Sequence, residues 1–360
     1  MNRLCYISRN YRFISDAGYK ARMDYEDIIS KMGGISIGLH RSFHFSMVRT
    51  FLLNLLGVIK CSLLLKKGDI FFLQYPTKKY FTFLCRVSHL KRAHNVVFIH
   101  DLGSFRRKRV TIEHEIKKLN HSDYIIAAND SMREWLKERG LSTPMNELGI
   151  HDFLTQIEPK DKVAEARIGE NKSSEKGHRA ELTIAYAGVI APRKNSFLFQ
   201  LCNNELPYNL AVYGDRNGYL SQINNPKVLN KGYIGSDDFI KSVSADFGLV
   251  WDGDSLDECS GNFGEYLKYN SPHKVSFYIC AQLPIIIWSK AALASYIEKE
   301  NIGILVDSLK DIPQKISALS PDMLMQMKKN VLRMREQITS GKHMEKALSE
   351  AINYFENLCG

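Results

Sequence analysis

Five short runs of this chain are apolar almost throughout: Asp69 to Gln74 (DIFFLQ), Asn95 to Ile99 (NVVFI), Leu182 to Ala187 (LTIAYA), Phe247 to Trp251 (FGLVW) and Pro284 to Trp288 (PIIIW). A strand with one wet face alternates apolar and polar side chains. A strand covered on both faces does not. Helical patterns separate these runs, as in Arg109 to Leu119, Ser131 to Arg139 and Pro272 to Gln282. Strands alternating with helices imply βαβ units and a parallel sheet, which places the chain in the α/β class.

Shorter strands fit the same scheme at Arg3 to Ser8, Tyr124 to Ala127, Leu210 to Tyr213, Val228 to Tyr233 and Gly303 to Val306. The 360 residues suffice for two cores, since domains usually hold about 100–200 residues. Composition shifts at 155–181, where QIEPKDKVAEARIGENKSSEKGHRAE carries almost no large apolar side chain and reads as a linker. The predicted organisation is a first domain over 1–154, a polar linker over 155–181 and a second domain over 182–340. A closing helix over 341–360 is placed against the first domain.

The seven cysteines are irregularly spaced and form no C-x-x-C or zinc-like set, so reduced thiols in a cytosolic protein are expected. Met1 to Asn10 has no apolar core of a signal peptide. Charge is strongly asymmetric. Residues 1–150 hold 25 Lys+Arg against 13 Asp+Glu, whereas residues 151–360 hold 24 against 26. Such a basic half suits a polyanionic partner or an anionic membrane surface, or is a solvated face without one. Phe45 to Leu65 shows apolar side chains at Val48, Phe51, Leu52, Leu55, Leu56, Ile59 and Leu63, near helical spacing. A buried core helix is the first expectation; shallow membrane docking, aided by Lys60, Lys66, Lys67, Lys78 and Lys79, is the second.

Two basic strand-to-helix turns point to an anion. In the first, the strand ending at Asp252-Gly253-Asp254 leads to a helix start at Ser271-Pro272, with Ser271 as N-cap, Pro272 at the first helical position, and His273 and Lys274 following. Free N–H groups, the positive dipole end and the Lys274 ammonium together suit a diphosphate. In the second, Gly188 ends a strand, and Arg193 and Lys194 precede the next helix. Ligands of open α/β sheets sit at the carboxyl ends of strands, where both turns lie. Each turn taken singly is also compatible with an ordinary solvated surface.

The segment Pro272-His273-Lys274-Val275-Ser276-Phe277-Tyr278 followed by Leu283-Pro284-Ile285-Ile286 resembles the donor-site helix of GT-B glycosyltransferases. More specifically, FGLVWDGDS…CSGNFGEYLKYNSPHK, the stretch Gly18 to Asp24, GDIFFLQYP (68–76) and VVFIHDL (96–102) resemble a bacterial group. That group comprises β-1,6-galactofuranosyltransferases of O-antigen synthesis and Gtf-type glucosyltransferases. The resemblance spans most of the chain and is weakest over 155–180. It implies two Rossmann-like domains facing across a cleft and a homo-oligomer. The activity it implies is transfer of galactofuranose or glucose from a UDP-sugar to a cell-surface glycan, with inversion. The donor is then expected against Gly188, Arg193, Lys194, Tyr233, Asp252, Asp254, Ser271, Pro272, His273, Lys274, Val275 and Ser276.

The glutamate that often meets the donor ribose is replaced here by Phe277, leaving Ser276 or a residue elsewhere for that hydroxyl. Inversion needs one general base on the acceptor hydroxyl. Asp101, after the strand NVVFI-His100, is the first candidate and Asp16 the second; His100 and Lys20 are expected on the acceptor side. No D-x-D motif stands in a metal-binding context, so no essential metal or other cofactor is expected. The enzyme is expected in the cytoplasm, at most peripheral on the inner membrane face. Rival readings are a nucleic-acid-binding protein, against which stands the absence of any recognition motif, and a non-catalytic sugar-nucleotide scaffold.

Overall fold

A computed structural model describes residues 2–11, 17–77, 80–107, 109–159 and 181–359. The chain divides into two compact units, Met1–Asp152 with Ser340–Gly360, and Phe153–Thr339.

The first unit is built on a sheet of β1 (Leu4–Tyr6), β3 (Ile35–Ser36), β5 (Ile70–Tyr75), β6 (His94–Ile99), β7 (Tyr124–Ala127) and β8 (Met145–Glu147). Its order is β3-β1-β5-β6-β7-β8 and every pair is parallel. A small parallel pair, β2 (Asn10–Tyr11) with β4 (Ser42–Phe43), lies outside it. The second unit has β9 (Thr183–Ala187), β10 (Asn209–Tyr213), β11 (Val228–Asn230), β12 (Phe247–Val250), β13 (Ile285–Trp288) and β14 (Gly303–Val306). These run in the order β11-β10-β9-β12-β13-β14, again all parallel. Numbered from its own first strand, this is the 3-2-1-4-5-6 order of doubly wound nucleotide-binding sheets. The central runs are dry on both faces: every residue of β7, β9, β12 and β13 is buried.

The division at Asp152 is held by tertiary contacts. Asp152 is fully buried and accepts hydrogen bonds from His343 Nδ1 (2.9 Å) and from the backbone N–H groups of His343 (3.4 Å) and Met344 (2.8 Å). It thereby satisfies the otherwise orphaned donors at the start of the closing helix Lys342–Cys359. That helix buries Met344, Ala347, Leu348, Ala351 and Phe355 within the first unit, with Phe355 stacked on His94. The segment after Asp152 is already part of the second unit. The Phe153 N–H bonds the Ile338 carbonyl, and Arg335 holds the Ile157 carbonyl (2.8 Å) and the Glu158 carboxylate (3.0 Å). Residues 155–159 are therefore tied chain rather than free linker; residues 160–180 lie outside the described residues.

The Met47–Leu64 helix departs from the first expectation of a core helix. Only Gly57, Val58 and Cys61 are buried, while Val48 is 69% and Leu63 72% exposed. Its apolar stripe is wider than the face that the unit covers.

Asp152→Ala should destabilise the protein by about 1–3 kcal/mol, the range for losing a helix cap while leaving buried donors unpaired. Urea unfolding followed by circular dichroism measures it, and protease cleavage within 342–359 should accelerate in parallel.

Candidate active site

In the second sheet β10, β9 and β12 end next to one another, and the chemistry-bearing side chains gather at those carboxyl ends. The strand ends approach closely: a Cβ on Gly214 would lie 2.0 Å from the Gly188 carbonyl oxygen. Gly188 in turn leaves room for the Lys274 stem, whose Cε would be 3.1 Å from a Cβ there.

Lys274 belongs to the helix His273–Cys280. Its Nζ donates to the Tyr186 hydroxyl (2.9 Å) and lies 3.2 Å from Asp252 Oδ1, above the Tyr186 ring at 4.1 Å from the centroid. Lys194 Nζ stands 3.7 Å from the same carboxylate oxygen. Two ammonium groups therefore share one carboxylate, and the cluster carries a surplus positive charge. Lys274 and Asp252 side chains are each 13% exposed, so water screens them only partly.

The supporting residues are buried. Tyr186 lies at the penultimate position of β9, and burial, reinforced by the Asp252 charge, pushes its phenol well above the ordinary range. It stays protonated, donates to Asp252 (3.3 Å), and accepts from Lys274 and from Asn195 Nδ2 (3.0 Å). Asn195 also donates to the Val189 carbonyl (3.0 Å) and accepts from the Ala191 N–H (2.8 Å). Its non-helical backbone (φ −137°, ψ 48°) separates the turn carrying Arg193 and Lys194 from the rest of the Pro192–Asn203 helix. The Lys194 carbonyl accepts from the Gly253 N–H (2.9 Å), which joins this turn to the loop after β12. Tyr278 fixes the helix of Lys274 in place. Its hydroxyl accepts from the Ala187 N–H (2.7 Å) and donates to the Leu249 carbonyl (3.2 Å), and its ring fills the space over Gly248, where a Cβ would come within 2.3 Å.

Of the expected donor residues, Gly188, Lys194, Asp252 and Lys274 come together. Others stand differently. The helix starts one residue later than expected: Pro272, not Ser271, is the N-cap, with extended backbone (φ −65°, ψ 128°), and Ser271 is buried. Val275 and Ser276 are fully buried, so Ser276 does not present its hydroxyl to a ligand. Arg193 is exposed, with its guanidinium 5.9 Å from the Phe263 ring centroid, and lies outside the Asp252 cluster. Asp254 bonds the Ser260 hydroxyl. Tyr233 is 45% exposed and carries the Arg216 guanidinium 3.6 Å from its ring centroid. Phe277 stacks on Phe239 (4.5 Å) and faces Phe153 (5.9 Å), an aromatic cluster where an acid was the alternative. Tyr186 and Asn195 were missed by sequence reasoning. A tyrosine with its polar hydroxyl next to the end of an otherwise apolar strand run that closes in glycine was the available signal.

In the first unit, Asp101 follows β6 and is ion-paired with Arg106. His100 Nε2 lies 2.6 Å from Gln74 Oε1, and Lys20 pairs with Asp24 one helical turn away. Asp16 lies outside the described residues.

The comparisons with known proteins cover both units. Residues 4–150 match the family model described as glucosyltransferase 3-like, N-terminal domain, and residues 184–351 match its C-terminal-domain counterpart. The beta-1,6-galactofuranosyltransferase WbbI of Escherichia coli K12 is 29% identical over 343 residues, 94% of this chain and 95% of that protein. Among solved structures, a sucrose-phosphate synthase from Thermosynechococcus elongatus superposes with a TM-score of 0.64 at 14% identity, covering 100% of both chains. Anabaena HepE in complex with UDP and glucose superposes with a TM-score of 0.62 at 11% identity, covering 97% of this chain and 100% of that one. The likeness shows the GT-B architecture of two Rossmann-like domains.

Proposed function

Because the chain belongs to the glucosyltransferase 3-like family of UDP-sugar glycosyltransferases, we propose that the Lys274–Asp252–Lys194 cluster holds the diphosphate of UDP-galactofuranose or UDP-glucose while the hexose passes to a cell-surface glycan. The observation that carries this reading is the surplus ammonium charge at the carboxyl edge of the second sheet, beside the start of the Lys274 helix. The acceptor oxygen forms a bond to the anomeric carbon, the bond from that carbon to the diphosphate oxygen breaks, and the configuration inverts. Charge grows on the departing diphosphate, and two ammonium groups already in place stabilise it without reorganisation. With the leaving group neutralised in this way, the proposal includes no essential metal. The acceptor hydroxyl gives its proton to a carboxylate, for which Asp101 is the candidate; its pairing with Arg106 fixes its position and opens when the acceptor docks.

The Met47–Leu64 helix supplies a membrane-facing surface in this reading. Phe45 (77%), Met47 (67%), Val48 (69%), Leu52 (50%), Leu56 (53%) and Leu63 (72%) are exposed. Exposed Lys60, Lys66, Lys67, Lys91 and Arg92 lie in or near it, and Asp69 is the sole acidic residue between Asp27 and Asp101. Asp69 is itself paired with Arg3. A second copy docked face to face would meet the same positive rim. An anionic bilayer on the cytoplasmic side complements both the apolar stripe and the charge.

Three outcomes are expected. Lys274→Ala should weaken UDP binding about 10- to 150-fold by calorimetry, since a hydrogen-bonded charge contributes roughly 1.5–3 kcal/mol; unchanged affinity in folded protein removes the donor-site assignment. Asp101→Asn should lower transfer from UDP-sugar to glycan about 10²–10⁴-fold with UDP affinity intact, whereas full activity places the base elsewhere. The protein should float with vesicles containing anionic lipid and be released by salt, and Leu52→Asp with Leu56→Asp should abolish flotation; equal flotation with neutral lipid contradicts the electrostatic part.

A further inference from the structure

A pair of arginines in the first unit is not used by the chemistry above. Arg9 follows β1, and Arg22 lies on the first helix, Ala17–Lys31. Both reach the carboxyl end of β5. Arg22 donates to the carbonyls of Gln74 (3.3 Å) and Pro76 (3.2 Å), and Arg9 donates to the same Pro76 carbonyl (3.4 Å). Pro76 comes one residue beyond Tyr75, which pairs with Ile99 of β6, so the pair lies next to His100 and Asp101.

Neither guanidinium meets a carboxylate among the described residues. Every other partly buried arginine there does: Arg3 with Asp69, Arg41 with Asp27, Arg133 with Glu147 and Arg335 with Glu158. The nearby acids among the described residues are already engaged. Glu26 accepts from the Tyr11 hydroxyl (2.9 Å) and from the Arg9 backbone N–H (3.4 Å), Asp24 is paired with Lys20, and Asp101 with Arg106. Burial first, and then the charge of Arg9, push the Arg22 guanidinium down to about 9, and burial also lowers Arg9. A carbonyl shared by two like charges neutralises neither. Glu26 and Asp101 offset part of this, but two partly desolvated cations with no carboxylate in direct contact remain costly unless an anion joins them. Guanidinium forks match phosphate oxygens in geometry and charge.

We propose that Arg9 and Arg22 form an acceptor-side phosphate site, which holds a phosphate or diphosphate ester of the acceptor beside Asp101. This rests on the glycosyltransferase reading and deepens it: the acceptor is anionic and carries its phosphate within reach of the hydroxyl to be glycosylated. The alternative source of the same chemistry is the diphosphate of the donor.

The test uses the full chain saturated with UDP, so that the Lys274 cluster is occupied, and titrates inorganic pyrophosphate by calorimetry. Binding is expected in the wild type and should weaken about 10- to 150-fold in Arg22→Gln and in Arg9→Gln. Arg22→Lys, which keeps the charge and loses the fork, should fall between. UDP affinity should stay as in the wild type. In transfer assays the ratio of kcat/KM for a phosphorylated over a phosphate-free glycan should collapse in the same variants. Absence of pyrophosphate binding by the UDP-saturated wild type overturns the proposal. Loss of UDP affinity in folded Arg22→Gln overturns it too, and assigns the pair to the donor. Arginine-dependent pyrophosphate binding without transfer to any glycan supports the site while refuting the glycosyltransferase reading.

Discussion

A parallel strand covered by helices on both faces has nowhere to place polar chemistry except at its ends, and both units of this protein are built from such strands. Every residue of β9, β12 and β13 is buried, so their length offers only packing. At the carboxyl ends the chain leaves the sheet, backbone groups lose their ladder partners, and helices begin with unpaired N–H groups. The close approach of Gly188 and Gly214 and the wedge of Tyr278 over Gly248 bring these ends together tightly enough for Lys274 and Lys194 to share Asp252. The site is thus a consequence of how the sheet is covered.

The electrostatics of the two units follow one pattern. Cations are placed in partly desolvated positions with fewer carboxylates than they need. In the second unit Asp252 divides its charge between two ammonium groups; in the first, Arg9 and Arg22 share only carbonyl oxygen. Elsewhere, partly buried arginines are matched, as Arg41 is by Asp27 and Arg335 by Glu158. Unmatched charge in water-poor surroundings costs stability, and proteins keep it where an anionic ligand repays the cost. A glycosyl transfer that expels a diphosphate, and an acceptor that is itself anionic, would both use such an arrangement.

Local pattern made part of the site legible. Gly188, Lys194, Asp252 and Lys274 all flank strand-to-helix turns, where an apolar run, a glycine and a basic residue occur in sequence. Tyr186 and Asn195 were not legible for the opposite reason. Tyr186 looks like one more buried strand residue and Asn195 like one more helical residue, and only their convergence reveals that both support Lys274. Arg193 carried the same local signal as Lys194, yet Lys194 reaches Asp252 while the neighbouring Arg193 points to Phe263. The Met47–Leu64 segment misled in another way. Apolar periodicity reports that a helix has an apolar face, and does not report whether protein covers it.

The sequence by itself determined the α/β class, the two parallel sheets, the helix that carries Lys274 and the concentration of positive charge in the first half. These follow from periodicity and composition, which act over a few residues or over the whole chain. Tertiary structure decided what holds the division at Asp152, close to the boundary expected at 154: that carboxylate caps a helix some 190 residues downstream at His343 and Met344. It also decided that Ser276 is buried, that the Met47–Leu64 face is exposed, and that Arg9 and Arg22 converge on one carbonyl. Each of these depends on which distant segments become neighbours, and no local spacing encodes that.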